Sequence, residues 1–118
     1  MERLAFGENT AFSPAEELLE GVTVAPLTGS IFAGAPFQAA VFRIAPGGRI
    51  ARHPASIPQI LAVLEGDGEV SGADGVAEPI AAGEAVFWRA GEQHETTSPS
   101  GLTALILEGD GLEPYRRP

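Results

Sequence analysis

The chain has 118 residues, 44% of them hydrophobic, and a formal net charge of −9. This length and this hydrophobic fraction are sufficient for one domain with one hydrophobic core. The acidic balance argues against nucleic acid or an anionic membrane as a partner, because both would repel this surface. There is no cysteine and all seven cationic residues are arginine, which excludes thiol chemistry, disulfides and lysine Schiff bases.

The N-terminal region is predicted to form an arm, residues 1–21, with one short helix. Ser13, Pro14 and Glu16 have the spacing of a capping box with proline at the first helical position, and Gly21 can end the helix. We therefore expect a helix over residues 14–20. The first residues lack the basic and apolar regions of an export signal, and no apolar run could span a bilayer. Both observations favour a cytoplasmic protein.

The remainder of the chain has the pattern of short β-strands separated by glycine and proline turns. Strands are predicted at 22–26, 37–45, 59–65, 69–71, 76–80, 85–88, 93–98 and 102–108. The second is expected to stop at Pro46-Gly47-Gly48 and the third at Gly66, and Asp74-Gly75 predicts a tight hairpin. This pattern indicates an all-β antiparallel sandwich or barrel over residues 22–108, followed by a polar tail at 109–118.

Two predicted strands, at 60–64 and 102–107, are apolar at nearly every position. In a lone antiparallel sandwich one face of each strand should meet water. Either the N-terminal arm or a second subunit must therefore cover their outer faces. We favour a homodimer, because one short helix is too small to cover both strands.

Glycine and histidine recur with a particular spacing in two blocks of the sequence. The residues that carry this spacing are Gly47, His53 and Gly66 in the first block, and Gly83, Gly91 and His94 in the second. The blocks resemble the two sequence motifs of the cupin superfamily, G-x5-H-x-H-x3–4-E-x6-G and G-x5-P-x-G-x2-H-x3-N. The resemblance implies a single domain over residues 1–118 with a double-stranded β-helix, or jelly-roll, barrel and a short N-terminal helix.

The chain departs from the cupin pattern at four positions. They are Ala55 in place of the second histidine, Gln59 in place of the glutamate, Arg89 in place of the proline and Ser98 in place of the asparagine. The resemblance implies that His53, Gln59 and His94 surround one point inside the barrel, where metal-binding relatives hold their ion. Ala55 removes one ligand from that set.

These three side chains permit two interpretations. Two neutral imidazoles and an amide oxygen supply no negative charge, so a divalent ion at His53, Gln59 and His94 would be zinc, nickel or copper rather than iron or manganese. The imidazoles can instead form hydrogen bonds with each other, with Gln59 or with water, and no ion is then needed. A metal centre and a metal-free pocket therefore both stay open.

Strand alternation extends the predicted pocket, because residues two apart on a strand face the same side. The residues that alternation places beside the three candidate ligands are Arg49, Ala55, Leu61, Val63 and Thr96. Arg49 is expected at the mouth, where it would either hold a ligand carboxylate or pair with a surface glutamate. Trp88 is expected in the core.

Two functions fit the sequence. The first is a stand-alone module that binds a small, mostly apolar organic molecule in the barrel lumen without metal. The second is a metal-dependent enzyme, for which the resemblance implies dioxygenation, isomerisation or decarboxylation with the ion as Lewis acid. The sequence identifies no catalytic residue apart from the candidate ligands, and a fold does not select a substrate.

Overall fold

The computed structural model describes residues 1–29 and 37–118, and in these ranges the chain forms seven β-strands and one turn of 3-10 helix. The strands in chain order are β1 Leu19–Pro26, β2 Phe37–Pro54, β3 Gln59–Ser71, β4 Glu78–Ala81, β5 Ala85–Trp88, β6 Gln93–Ser98 and β7 Leu102–Gly109. All of the strand pairs are antiparallel. Within the described ranges, no helix is long and apolar enough to cross a membrane.

The two longest strands, β2 and β3, close the barrel because each pairs with both β6 and β7. Each bends at a glycine with positive φ, at Gly47 (+84°) in β2 and at Gly66 (+82°) in β3. Glycine adopts this conformation without strain. The prediction that strands end at these glycines is wrong, because the glycine turns the strand and does not stop its pairing. The all-β jelly-roll barrel itself is confirmed.

The N-terminal arm does not contain the predicted helix over residues 14–20. Its one helical turn lies earlier, at Glu8–Thr10, and Leu19 already belongs to β1, where it pairs with Ile50. A helix of seven residues forms too few hydrogen bonds to offset its nucleation cost. At the end of this range Leu19 and Glu20 pair with Ile50 and Arg49 of β2 instead, so strand pairing prevails there over the capping signal.

The predicted hairpin at Asp74-Gly75 joins β3 to β4. Gly75 has a φ of +72°, its amide donates to the carbonyl of Gly72 at 3.0 Å, and the Asp74 carboxylate accepts from the amide of Val76 at 2.9 Å. The hairpin is confirmed, but its loop is wider than predicted, because β4 begins at Glu78 and not at residue 76.

The interior of the barrel is filled at one end and hollow at the other. At the filled end, Val22, Ile44, Val63 and Leu102 are each less than 5% exposed and belong to one apolar cluster. Close packing of branched side chains leaves no room for a ligand there. The hollow end lies further along the same strands, where the side chains are larger and more polar.

The outer faces of β3 and β7 carry the apolar side chains that predicted a dimer. Ile60 and Ala62 of β3 pair with Leu107 and Leu105 of β7, and all four are half-buried. Leu64, on the same face of β3, is 50% exposed. An outer surface of this composition suits contact with a second copy of the chain.

We expect the protein to sediment as a dimer at micromolar concentration and its Leu105→Glu variant to sediment as a monomer. A carboxylate buried in an apolar contact without a partner is costly. Sedimentation velocity measures both masses, and Leu4→Glu, at an exposed residue of the arm, is the control that should remain a dimer. A wild-type monomer at this concentration would contradict the prediction.

Candidate functional site

A cavity of about 500 Å³ occupies the hollow end of the barrel. Apolar side chains from several strands form most of its lining: Val24, Phe42, Ile50, Leu61, Trp88 and Ile106. The polar side chains that reach it are Glu16, Gln38, His53, Ser56, Gln59, His94, Thr96 and Glu108. A mostly apolar cavity with a few convergent polar groups is typical of small-molecule sites.

One side of this cavity is formed by residues 12–19, which we call the N-terminal wall. Phe12 and Val24 exchange two backbone hydrogen bonds of 3.0 and 2.8 Å, and the carbonyl of Leu18 accepts from the amide of Ala51 at 2.7 Å. Phe12 and Leu18 line the cavity although both are partly exposed to solvent. The arm therefore completes the cavity that the strands leave open.

The two histidines are brought together by pairing between strands. His53 of β2 lies opposite His94 of β6, and the centroids of the two rings are 4.4 Å apart with an interplanar angle of 50°. The register of this pair shifts between Ile50 and His53. This β-bulge lets Ile50 and His53 both line the cavity although they are three residues apart.

The same bulge explains why Arg49 is not at the mouth of the cavity. Regular alternation from His53 would place Arg49 on the inner face, but the extra residue in β2 reverses the alternation before it. The guanidinium instead lies outside, 3.1 Å from the carboxylate of Glu20 and 4.0 Å from that of Glu95. Of the two alternatives for Arg49, the structure shows the surface ion pair.

Backbone carbonyls determine which ring nitrogen of each histidine carries the proton. Nδ1 of His53 lies 2.7 Å from the carbonyl oxygen of Ala51, and Nδ1 of His94 lies 3.3 Å from that of Glu92. Because a carbonyl oxygen can only accept, each Nδ1 is the donor and each Nε2 keeps its lone pair. In the two described ranges, no side chain donates a hydrogen bond to either Nε2.

His94 is held in the neutral form by its surroundings. It is 3% exposed, and its ring lies 4.5 Å from that of Trp88, centroid to centroid. Burial lowers the pKa of His94 below its ordinary value, and the positive charge that His53 carries when protonated would lower it further, while Glu92 and the backbone of His53 partly oppose both effects. A neutral imidazole is the form that accepts a hydrogen bond or binds a metal.

Gln59 is oriented by Glu108, a residue that the sequence analysis did not select. The two are partners on β3 and β7, and Nε2 of Gln59 donates to Oε1 of Glu108 at 2.5 Å. Because a carboxylate only accepts, the amide nitrogen must face it, which leaves Oε1 of Gln59 free to accept. Alternation could have found Glu108, which follows the inward residues Ala104 and Ile106 on β7.

The remaining predicted pocket residues divide between the cavity and its support. Leu61 and Thr96 line the cavity, while Val63 lies in the filled end. Ala55 is 5% exposed and does not line the cavity. Its amide donates to the carbonyl of Glu92 and its carbonyl accepts from Gly91, so it anchors the loop before His94.

No cluster of three or more histidine, cysteine, aspartate or glutamate side chains in residues 1–29 and 37–118 has the geometry to hold a metal ion. A site would need Gln59 as its third donor. The two free Nε2 atoms and the free Oε1 are chemically suited to zinc, nickel or copper, which accept imidazole-rich sites. The donor set therefore fits such an ion, with Glu108 and two backbone carbonyls orienting the ligands.

The comparisons with known proteins agree with the predicted fold. The chain is similar to the polyketide cyclase RemF from Streptomyces resistomycificus, with 25% identity, a TM-score of 0.78, and coverage of 92% of this chain and 79% of that one. It is also similar to an RmlC-like cupin from Shewanella frigidimarina, with 21% identity, a TM-score of 0.74, and coverage of 92% and 91%.

A third similar structure is an acetylacetone dioxygenase from Acinetobacter johnsonii, with 20% identity, a TM-score of 0.76, and coverage of 92% of this chain and 74% of that one. No curated protein matches the chain. The sequence profile described as Cupin domain matches residues 40–108, which include both histidine blocks. Since this match extends over more than half of the sequence, the chain belongs to the cupin family.

Proposed function

We propose that this cupin binds a small, mostly apolar organic molecule in the cavity of its barrel. The observation that carries the proposal is the cavity of about 500 Å³ with aromatic and aliphatic sides. Such a volume lies within the range that encloses small organic ligands. A few polar side chains that face the cavity, among them His94 and Gln59, supply the specific contacts that an apolar pocket needs.

The similarity to a polyketide cyclase supports a ligand with ring systems. That protein shares 25% identity and aligns with 92% of this chain. In the present cavity Trp88 and Phe42 provide aromatic surfaces, and stacked or edge-to-face contacts between rings add to the gain from apolar burial. Aromatic molecules of one or two rings are therefore the first ligands to test.

Trp88 makes the proposal testable, because it is the only tryptophan in the chain and it lines the cavity. We expect small aromatic molecules to change its emission and to raise the melting temperature, since a ligand that binds only the folded state stabilises it. Fluorescence titration and thermal denaturation of chelator-treated protein measure both effects.

Two matched variants locate the binding. Ile50→Phe adds volume inside the cavity and should abolish both responses, whereas Leu64→Phe adds the same kind of group to the outer face of β3 and should leave them unchanged. Circular dichroism confirms that each variant is folded. If no aromatic molecule stabilises the protein, or if Ile50→Phe binds as well as wild type, the proposal is wrong.

A second candidate function is metal-dependent catalysis, favoured by the free Nε2 atoms of His53 and His94 and the oriented Oε1 of Gln59. A bound zinc, nickel or copper ion would supply Lewis-acid chemistry to a substrate. Glu108 fixes the amide of Gln59, and the carbonyls of Ala51 and Glu92 fix the two rings.

Metal analysis of protein purified without added metal tests this second function. A metal-dependent enzyme predicts close to one equivalent of a single transition metal, lost in His53→Ala and in His94→Ala and retained in Thr96→Val. Less than about a tenth of an equivalent, with no uptake on reconstitution, would exclude a metal centre and leave the binding module.

A further inference from the structure

We propose that the cavity selects aromatic molecules that carry hydroxyl groups, and that without metal it rejects carboxylates of the same size. The inference rests on the proposed function, because it names the ligand class of the same cavity. It comes from an imbalance between hydrogen-bond acceptors and donors on the polar side of the cavity.

Four side chains, which we call the acceptor group, present lone pairs to the cavity: His53, Gln59, His94 and Glu108. The Nδ1–H groups of both histidines are used by backbone carbonyls, and the Nε2 of Gln59 is used by Glu108. What remains is two imidazole Nε2 atoms, one amide oxygen and a carboxylate, all of which accept.

Two members of the acceptor group are mostly buried as residues but present polar atoms to the cavity. Gln59 is 8% exposed and His94 is 3% exposed, and both line the cavity. Among the described side chains only Nη1 of Arg43 is buried without a hydrogen-bond partner, so Oε1 of Gln59 and Nε2 of His94 are open to the cavity rather than enclosed in protein. A ligand that fills the cavity must offer them a donor, because leaving them unpaired is costly, and a ligand hydroxyl does so.

An anionic ligand has no cation to meet in this cavity. No arginine lines it in the described part of the chain, residues 30–36 contain no basic residue, and the chain has no lysine. Arg49 pairs with Glu20 outside, and Arg52 donates to Ser71 and to the carbonyl of Gly72. Burying a carboxylate without a cation is strongly unfavourable.

Carboxylates on the cavity lining reinforce this selection. Glu16 of the N-terminal wall and Glu108 both line the cavity, so a ligand carboxylate would be repelled from two directions. The hydroxyls of Ser56 and Thr96 and the amide of Gln38 can both donate and accept, and they do not discriminate between the two kinds of ligand. The acceptor group and the negative charge of Glu16 and Glu108 therefore determine the preference for hydroxyl-bearing ligands over carboxylates.

Three naphthalene derivatives separate the possibilities: 2,7-dihydroxynaphthalene, 2,7-dimethoxynaphthalene and 2-naphthoate. They share one ring system, but only the first offers hydrogen-bond donors and only the last is an anion. Calorimetric titration of chelator-treated protein at pH 8, where imidazole is neutral, should show the diol binding at least tenfold more tightly than the diether. Naphthoate should bind most weakly.

The outcomes distinguish this inference from the function on which it rests. If none of the three compounds binds, the proposed function is itself wrong. If the diether or naphthoate binds as tightly as the diol, the cavity binds aromatic molecules but the acceptor group does not select them, and the present inference is overturned.

The methyl groups of the diether remove its hydrogen-bond donors but also make it larger than the diol, so weaker binding could result from shape alone. The Glu108→Gln variant separates selection by acceptors and charge from selection by shape. The substitution keeps the size of the side chain and removes its charge. We expect the affinity for the diol to fall at least fivefold relative to the diether and that for naphthoate to rise. An unchanged ratio would show that shape alone selects.

The matched control is Glu78→Gln, at an exposed carboxylate of β4 outside the cavity. It removes the same charge from the protein and should leave all three affinities unchanged. Circular dichroism and thermal denaturation confirm that both glutamine variants are folded, so that a loss of affinity reports on the cavity.

Discussion

Replacing Gly66 by alanine is expected to destabilise the fold by about 3 to 5 kcal/mol, the sum of backbone strain and overpacking. Gly66 has a φ of +82°, where a side chain is strained. A Cβ there would overlap the carbonyl oxygen of Gly101 and lie 2.9 Å from Cα of Leu102. Both obstacles are backbone atoms, one in the residue before β7 and one in its first residue, and they cannot rotate away. Urea denaturation measures the loss.

Gly83→Ala is the matched control for this substitution. Gly83 has a φ of +90° and nothing within 4 Å of the position of a Cβ, so the variant should lose only the strain, about 1 to 2 kcal/mol. The difference between the two variants isolates the cost of the close approach. Equal losses would show that the bend of β3 does not depend on contact between Gly66 and β7.

The second large effect is expected at Trp88. Trp88→Ala should lower the free energy of unfolding by about 3 to 5 kcal/mol, the range for deleting a large core side chain. Trp88 is 1% exposed, its Nε1 donates to the carbonyl of Ser71 at 3.1 Å, and its ring contacts His94. The substitution removes apolar burial, a hydrogen bond and one side of the cavity together.

Trp88→Phe serves as the conservative variant. It keeps an aromatic ring beside His94 and loses the hydrogen bond to Ser71, which is worth about 1 kcal/mol, together with part of the buried area. We therefore expect a loss of about 1 to 2 kcal/mol, determined by urea denaturation as for alanine. If the two variants were equally destabilised, the hydrogen bond rather than ring packing would dominate at this position.

The resemblance to the cupin motifs predicted the jelly-roll barrel, and it placed His53, Gln59 and His94 on three of the strands that line the cavity. The glycines determine where the strands bend, and the histidines lie opposite each other on paired strands. Gly47 and Gly66 permit positive φ, and His53 and His94 then fall opposite each other. The resemblance could therefore place His53 and His94 near each other, although it did not show that these glycines turn the strands.

Arg49 and Val63 show what strand alternation cannot predict. Alternation gives the face of a strand but not its register. The bulge between Ile50 and His53 depends on pairing with β6, a distant segment, so Arg49 was assigned to the wrong face. Val63 has the inward face that was predicted, but its depth along the barrel places it in the filled end. The position of a residue along the barrel axis depends on which strands pair around it, and strand alternation does not give that pairing.

Glu108 was overlooked for a different reason. The apolar run of β7 was interpreted through its burial alone, and a charged residue at its end was treated as the end of the strand. Its role depends on the proximity of Gln59, which lies far away in sequence. A carboxylate on the inner face of an apolar strand is costly unless it has a partner, and this rule could have drawn attention to it.

The N-terminal wall is held to the barrel by fewer backbone hydrogen bonds than the strands that form the other sides of the cavity. Strands in the barrel are held by continuous ladders, whereas three backbone hydrogen bonds fasten residues 12–18 of this wall, two between Phe12 and Val24 and one between Leu18 and Ala51, before Leu19 enters the ladder between β1 and β2. Segments with so few ties open locally at a small fraction of the free energy of global unfolding. If the cavity binds the proposed ligands, we therefore expect them to enter and leave by local detachment of this wall, with rapid exchange while the barrel stays folded.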